Sequence, residues 1–180
     1  GMMGSGKSYW TKKIAKWIKS AGYDLDHLIE MNEEKTISEI FAEDGEEQFR
    51  KMEAKILRWF KEKKKYVLAT GGGTPCFQDN MAWMKKEGIV IWLDESVEIL
   101  LKRLVEEKAH RPLIANLSEK DLTKFIQDKL VERHSFYSQS DYRLSSEQIN
   151  DIRFCTEDTS IYPLNNSKNF IFNIDRKSTR

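Results

Sequence analysis

The sequence predicts a parallel α/β fold of the phosphate-loop class, and three observations carry that expectation. The first ten residues, GMMGSGKSYW, fit G-x-x-x-x-G-K-[ST] at Gly1, Gly6, Lys7 and Ser8. Two short apolar runs, 66–70 (YVLAT) and 89–93 (IVIWL), read as strands buried on both faces. Stretches of helical periodicity flank each run, the alternation of a parallel sheet covered by helices.

In chain order, Trp10, Ile14, Trp17, Ile18 and Ala21 recur at helical spacing and predict a helix over 8–20, ended by Gly22. Residues 23–25 are too few to assign by periodicity, and 26–33 read as a short helix. A longer helix follows Gly45, with Phe49, Met52, Ile56 and Trp59 or Phe60 on one stripe. The strand at 66–70 runs into Gly71, Gly72 and Gly73. Residues 78–87 look helical, and the strand at 89–93 follows. Val97, Leu100, Leu101, Leu104 and Val105 mark the next helix. KAHRPLIANLS breaks the pattern and carries Pro112. Ser118 and Asp121 resemble a capping box for a helix to about Tyr137. From residue 143 Asn, Ser, Asp and Thr dominate, and only 169–174 (NFIFNI) reads as a strand. A single domain over 1–142 with a divergent tail over 143–180 is expected.

A chain of 180 residues is long enough for one sizeable core. A formal net charge of +1 gives no electrostatic case for nucleic acid or an anionic membrane. No apolar run approaches the roughly 20 residues that span a bilayer, and no signal-peptide pattern is present. Cys76 and Cys155 lie far apart, fit no metal spacing and read as free thiols in a reducing compartment. A cytoplasmic monomer with small-molecule partners is expected.

Phosphate-loop glycines let backbone N–H groups turn inward around phosphate oxygens, the Lys places a charge on the β- and γ-phosphates, and the next hydroxyl ligates Mg²⁺. The following helix adds its positive end. No N/T-K-x-D element is present to read guanine, which favours ATP. Asp24 and Asp26, two apart on an extended segment, would face one way and could serve Mg²⁺ water and a substrate hydroxyl; the plainer reading is surface acids with Asp26 as a helix N-cap. Arg50 in QFRKME lies off the centre of its apolar stripe and by itself reads as a solvated charge. Three glycines after a buried strand suggest close approach of another molecule, or a plain turn. Arg111 in HRPLI lies where a phosphoryl-transfer lid would carry an arginine, or in an ordinary loop. Arg133 alone is unremarkable.

Together GMMGSGKS, DLD, FAEDGEEQFRKME, TGGGTP, HRPLI and ERHSFY resemble shikimate kinase, of the nucleoside-monophosphate-kinase-like branch, over residues 1 to about 142. The resemblance implies a three-layer α/β/α fold with a five-stranded parallel sheet, and transfer of phosphate from ATP to shikimate in aromatic amino-acid synthesis. It implies that Gly4, Ser5, Gly6, Lys7, Ser8 and Tyr9 hold ATP, with Lys7 on the transferred group. Ser8 would ligate Mg²⁺ and Asp24 would reach it through water. Asp26 would bind the shikimate hydroxyls, and Arg50 and Arg133 would clamp its carboxylate beside Gly72 and Gly73. Arg111 would be the lid arginine, in a lid over about 108–117. Arg103 would lie by adenine, although its spacing to HRPL is one residue longer than the family's. A gluconate kinase shares the loop but gives no reason for Arg50, Gly72 and Arg133. A non-catalytic nucleotide-binding module would not need all of Lys7, Ser8, Asp24, Asp26 and Arg111.

Two departures stand out. The strand that the family runs into the loop is absent ahead of Gly1, so either the chain is a fragment or another segment fills the gap. KNFIFNI is expected to be the family's last strand, delayed by an insertion at 143–167. Its filling the empty central slot is the lesser alternative. The family's usual ending is not matched, and no adenine contact is assigned beyond residue 142.

Overall fold

Strands as apolar as 66–70 and 89–93 must be covered on both sides, and the elements are arranged to do this. The structure, a computed structural model, describes residues 1–108 and 114–149 and the backbone of 169–173. The order is α1 (Lys7–Trp17), β1 (Ala21–Asp24), α2 (Leu25–Glu33), α3 (Ile37–Glu43), α4 (Gly45–Arg58), β2 (Tyr66–Thr70), α5 (Asn80–Glu87), β3 (Gly88–Leu93), α6 (Val97–Glu106), α7 (Glu119–Tyr137), β4 (Tyr142–Leu144) and β5 (Asn169–Asn173). Single 3₁₀ turns follow α4 (Trp59–Glu62) and β2 (Thr74–Cys76).

The five strands form one sheet in the order β1-β2-β5-β3-β4, with every pairing parallel. Leu68 and Val90 face a core shared with Leu25, Ile29, Ile40, Phe49 and Met84 of α2 to α5. Val67, Ile91 and Leu93 face the opposite side, where Trp10, Ile14 and Ala15 of α1 cover them. A third cluster lies under the phosphate loop: Met2 and Met3 pack with Leu100 and Leu104 of α6, Ile114, and Leu122 and Ile126 of α7. Three layers, α/β/α, result.

The sheet corrects the expected place of the tail strand. β5 does not take the place expected for it, that of the family's last strand delayed by an insertion. It lies at the centre, paired with β2 from Val67↔Phe170 to Thr70↔Asn173 and with β3 from Gly88↔Asn169 to Ile91↔Phe172. The lesser alternative is the observed one. The edge beyond β3 is taken by β4, where Ile91↔Tyr142 and Leu93↔Leu144 are partners. β4 has three residues and one of them is Arg143, so it carries no apolar run to read. β2 and β3, with both flanks inside the sheet, would otherwise leave ladder groups unpaired at its middle, and β5 satisfies them.

Smaller differences have local causes. α1 ends at Trp17, short of the expected residue 20, because Lys19 turns to φ 50°. Gly22 does not cap this helix. It lies in β1, where an added Cβ would meet Ala15 Cβ at 3.1 Å, so the glycine lets α1 approach the sheet. Asp24, not Asp26, occupies the N-cap position of α2 and makes no side-chain cap bond. α3 was not legible from periodicity. Its signal is the Thr36/Glu39 capping box: Glu39 N–H donates to Thr36 Oγ1, and Thr36 N–H donates to Glu39.

Candidate active site

In a parallel sheet every βα turn leaves the same edge, so residues just past the strands converge there. Asp24 ends β1, Gly71, Gly72 and Gly73 follow β2, and Gly1 lies against the Leu93 carbonyl at the end of β3. The phosphate loop therefore sits at the carboxyl edge, directly before α1. Gly6 is its last residue, with φ 83°, a conformation that only glycine adopts without strain. Lys7 is 3% exposed. Its Nζ donates to Gly1 O at 2.8 Å, Met2 O at 2.5 Å and Ser5 Oγ at 3.1 Å, so the ammonium lies curled over the loop. From α6, Arg103 Nη1 donates to Gly4 O at 3.0 Å and pairs with the buried Glu95 at 3.4 Å. Tyr9 is exposed, with Lys13 Nζ 4.6 Å above its ring.

Beside the loop, Ser8 Oγ donates to Asp24 Oδ2 at 3.1 Å. A cleft of about 330 Å³ opens next to this pair, lined among others by Thr11, Lys12, His27 and Ala69. Asp26, in the first turn of α2, is buried.

Across the edge is Arg50, on α4 and buried. Its Nε and Nη2 donate to Glu46 Oε1 at 3.2 and 2.8 Å. Its Nη1 pairs with Glu53 Oε2 at 3.3 Å, and the other oxygen of the fully buried Glu53 accepts from Thr74 Oγ1 at 2.5 Å. The guanidinium rests on the glycine loop: a Cβ at Gly73 would lie 2.7 Å from Nη2. Tyr137, at the end of α7, donates to Gly72 O at 2.8 Å and ties that helix to the same loop. Arg133 is one turn earlier on α7. Burial pushes the Cys76 thiol up to about 11, with the cations of Arg133 and Arg50 pulling the other way.

The structure thus brings Lys7, Ser8 and Asp24 together, and Arg50 with Gly73, along one sheet edge, while Arg133 lies on α7, the helix that Tyr137 ties to Gly72. Arg111 and residues 109–113 of the expected lid lie outside the described residues. Of the remainder, Ile114 is buried under the loop and Lys108 Nζ donates to Leu117 O. Glu53, Tyr137 and Glu95 were missed from the sequence. Only Glu53 had a signal, its i+3 spacing from Arg50 on one helix.

A nucleotide's phosphates and a small anion can be held side by side at such an edge, and that defines a phosphate-loop kinase of small molecules. Within that class the chain belongs to the shikimate kinase family: the family model "Shikimate kinase" matches residues 3–159. Shikimate kinase of Phocaeicola vulgatus is 40% identical over 153 residues, spanning 85% of this chain and 87% of that protein. The crystal structure of shikimate kinase from Bacteroides thetaiotaomicron superposes with a TM-score of 0.80 at 34% identity, covering 87% of this chain and 94% of that one. Shikimate kinase from Acinetobacter baumannii in complex with shikimate gives 0.76 at 30% identity, covering 90% and 92%.

Proposed function

We propose that the chain transfers the γ-phosphoryl group of ATP to the 3-hydroxyl of shikimate, giving shikimate 3-phosphate and ADP in aromatic amino-acid synthesis. The observation that carries the reading is the buried Arg50 seated on Gly73, across the sheet edge from Lys7. A carboxylate substrate needs such a cation, and a fixed guanidinium can grip it with two hydrogen bonds.

In this reading Gly4, Ser5, Gly6 and Ser8 cradle the phosphates, with Tyr9 and Arg103 flanking the nucleotide. Lys7 leaves the loop carbonyls for the β- and γ-phosphate oxygens. Arg50 and Arg133 hold the carboxylate against the Gly72 and Gly73 backbone, and Asp26 accepts from the ring hydroxyls. The attacking hydroxyl oxygen forms a bond to γ-phosphorus while the bond to the β,γ-bridging oxygen breaks. Asp26 orients that hydroxyl and takes its proton. Positioning and charge neutralisation are the main requirements of such a transfer. Arg111 would add a cation from the lid.

Ser8 and Asp24 supply hard oxygens at 3.1 Å from one another, a donor set that suits Mg²⁺. Among the described residues no group of three or more acids, histidines or cysteines could hold a metal. That fits an ion carried in with the nucleotide, Ser8 ligating it and Asp24 reaching it through water. Mg²⁺ would neutralise charge on the β- and γ-oxygens.

Among the described residues no helix is long and apolar enough to cross a membrane, and Cys76 is a free thiol. Both are compatible with a cytoplasmic enzyme. The test is ADP release measured with shikimate and gluconate in parallel. Turnover with shikimate alone is expected; turnover with gluconate alone, or with neither, overturns the reading.

A further inference from the structure

A guanidinium has two faces as well as two hydrogen-bonding edges, and Arg50 lies over two aromatic rings. The Phe49 centroid is 5.1 Å from Arg50 Cζ, and the Phe77 centroid is 4.3 Å away. Phe49 belongs to the core. Phe77 is 37% exposed, a large apolar ring left at the protein surface over the site. Its position is enforced from both sides. Before it, the 3₁₀ turn Thr74–Cys76 is fixed by the Thr74 to Glu53 bond and by Asn80 Nδ2 donating to Thr74 O at 2.9 Å. After it, Gln78 and Asp79 both take left-handed backbone angles, φ 51° and 52°, uncommon for two successive residues that are not glycine. Arg58 braces that turn, donating to Gln78 O at 2.8 Å and Asn80 Oδ1 at 2.5 Å. The loop folds back so that an extended Phe77 reaches Arg50.

We propose that Phe77 is a positioning residue of the carboxylate clamp. Packed 4.3 Å from Arg50 Cζ, its ring restrains the guanidinium while the Nε–Nη2 edge, now paired with the exposed Glu46, is exchanged onto a substrate carboxylate, and it keeps water from that ion pair. Attraction between a cation and a ring face does not consume N–H donors, so both interactions can act together. The inference rests on reading Arg50 as the shikimate clamp.

The test is steady-state kinetics and calorimetric shikimate binding for wild type, Phe77→Leu, Phe77→Trp and Arg50→Ala, with thermal unfolding as the folding control. Phe77→Leu keeps most of the apolar volume and removes the π face. It should raise the shikimate KM and Kd by roughly three- to tenfold and leave the ATP KM unchanged, with Phe77→Trp close to wild type. Its shikimate KM should also rise more steeply with salt, because the ion pair is opened to solvent. If Phe77→Leu matches wild type while Arg50→Ala loses shikimate, this inference fails and the clamp stands. If Arg50→Ala keeps its shikimate affinity, the clamp reading fails and this inference with it. Equal loss for shikimate and ATP would show general loop damage and overturn the positioning role.

Discussion

Lys7 makes the sharpest prediction at the scale of one residue. Its ammonium is buried and bonded to loop oxygens, which in the proposed reaction it leaves for phosphate. Lys7→Ala should lower kcat by a factor of about 10²–10³, the usual worth of one preorganised donor at developing charge. Calorimetric binding of shikimate should persist; a near-normal kcat would remove Lys7 from the phosphoryl path. Arg133→Ala should weaken shikimate by on the order of tenfold or more through loss of a charge-assisted contact. A rise in the ATP KM alone would move Arg133 to the nucleotide. Lys7 was singled out by the phosphate-loop motif, and Arg133 only through the resemblance that ERHSFY carries. Glu53 was not: a buried acid bridging Arg50 and Thr74 depends on the glycine loop folding onto α4, a contact between residues 21 apart in sequence.

α4 and the loop after β2 form the unit that aims Arg50. Gly73 has φ −82°, which alanine adopts freely, so Gly73→Ala should not unfold the chain. Its Cβ would stand 2.7 to 3.0 Å from three guanidinium atoms. Arg50 is held by two rings and two carboxylates, so the displacement is passed on to the substrate. A shift near 1 Å in a positioning group can cost on the order of 10²-fold, so the shikimate KM should rise by one to two orders of magnitude. An unchanged KM, at an unchanged unfolding midpoint, would separate the glycine loop from the clamp. Legibility at this scale followed length and polarity. β2, β3, α1, α4, α6 and α7 have long stripes or wholly apolar runs and were readable. β1, with exposed residues at a sheet edge, and β4, with three residues, gave periodicity nothing to work on. α3 has only Ile37 and Ile40 buried and is announced by its cap.

For the molecule as a whole, the decisive element is β5. Its residues were recognisable as a strand, but pairing partners are set by the sheet, and no local pattern states which gap a strand enters. The register shows what the placement does. Phe172 is level with Ile91, so Asn173 stands level with Trp92, one residue before Leu93. Gly1 already rests against the Leu93 carbonyl. The carboxyl end of β5 therefore points to the start of the phosphate loop, the relation that a leading strand would have to it. β5 thus supports the nucleotide site from below while joining β2 to β3. Removing residues 169–180 would leave two neighbouring strands with unpaired ladder groups in mid-sheet, several hydrogen bonds at about 1 kcal/mol each before any packing is counted. At roughly 2–4 °C per kcal/mol for a domain of this size, the unfolding midpoint should fall by on the order of 10 °C or more. The truncated chain should also gain less from ATP and Mg²⁺, since stabilisation by a ligand scales with its affinity for the folded site. Equal midpoints for the full and shortened chains, each with and without nucleotide, would show that β5 contributes nothing to the sheet's stability.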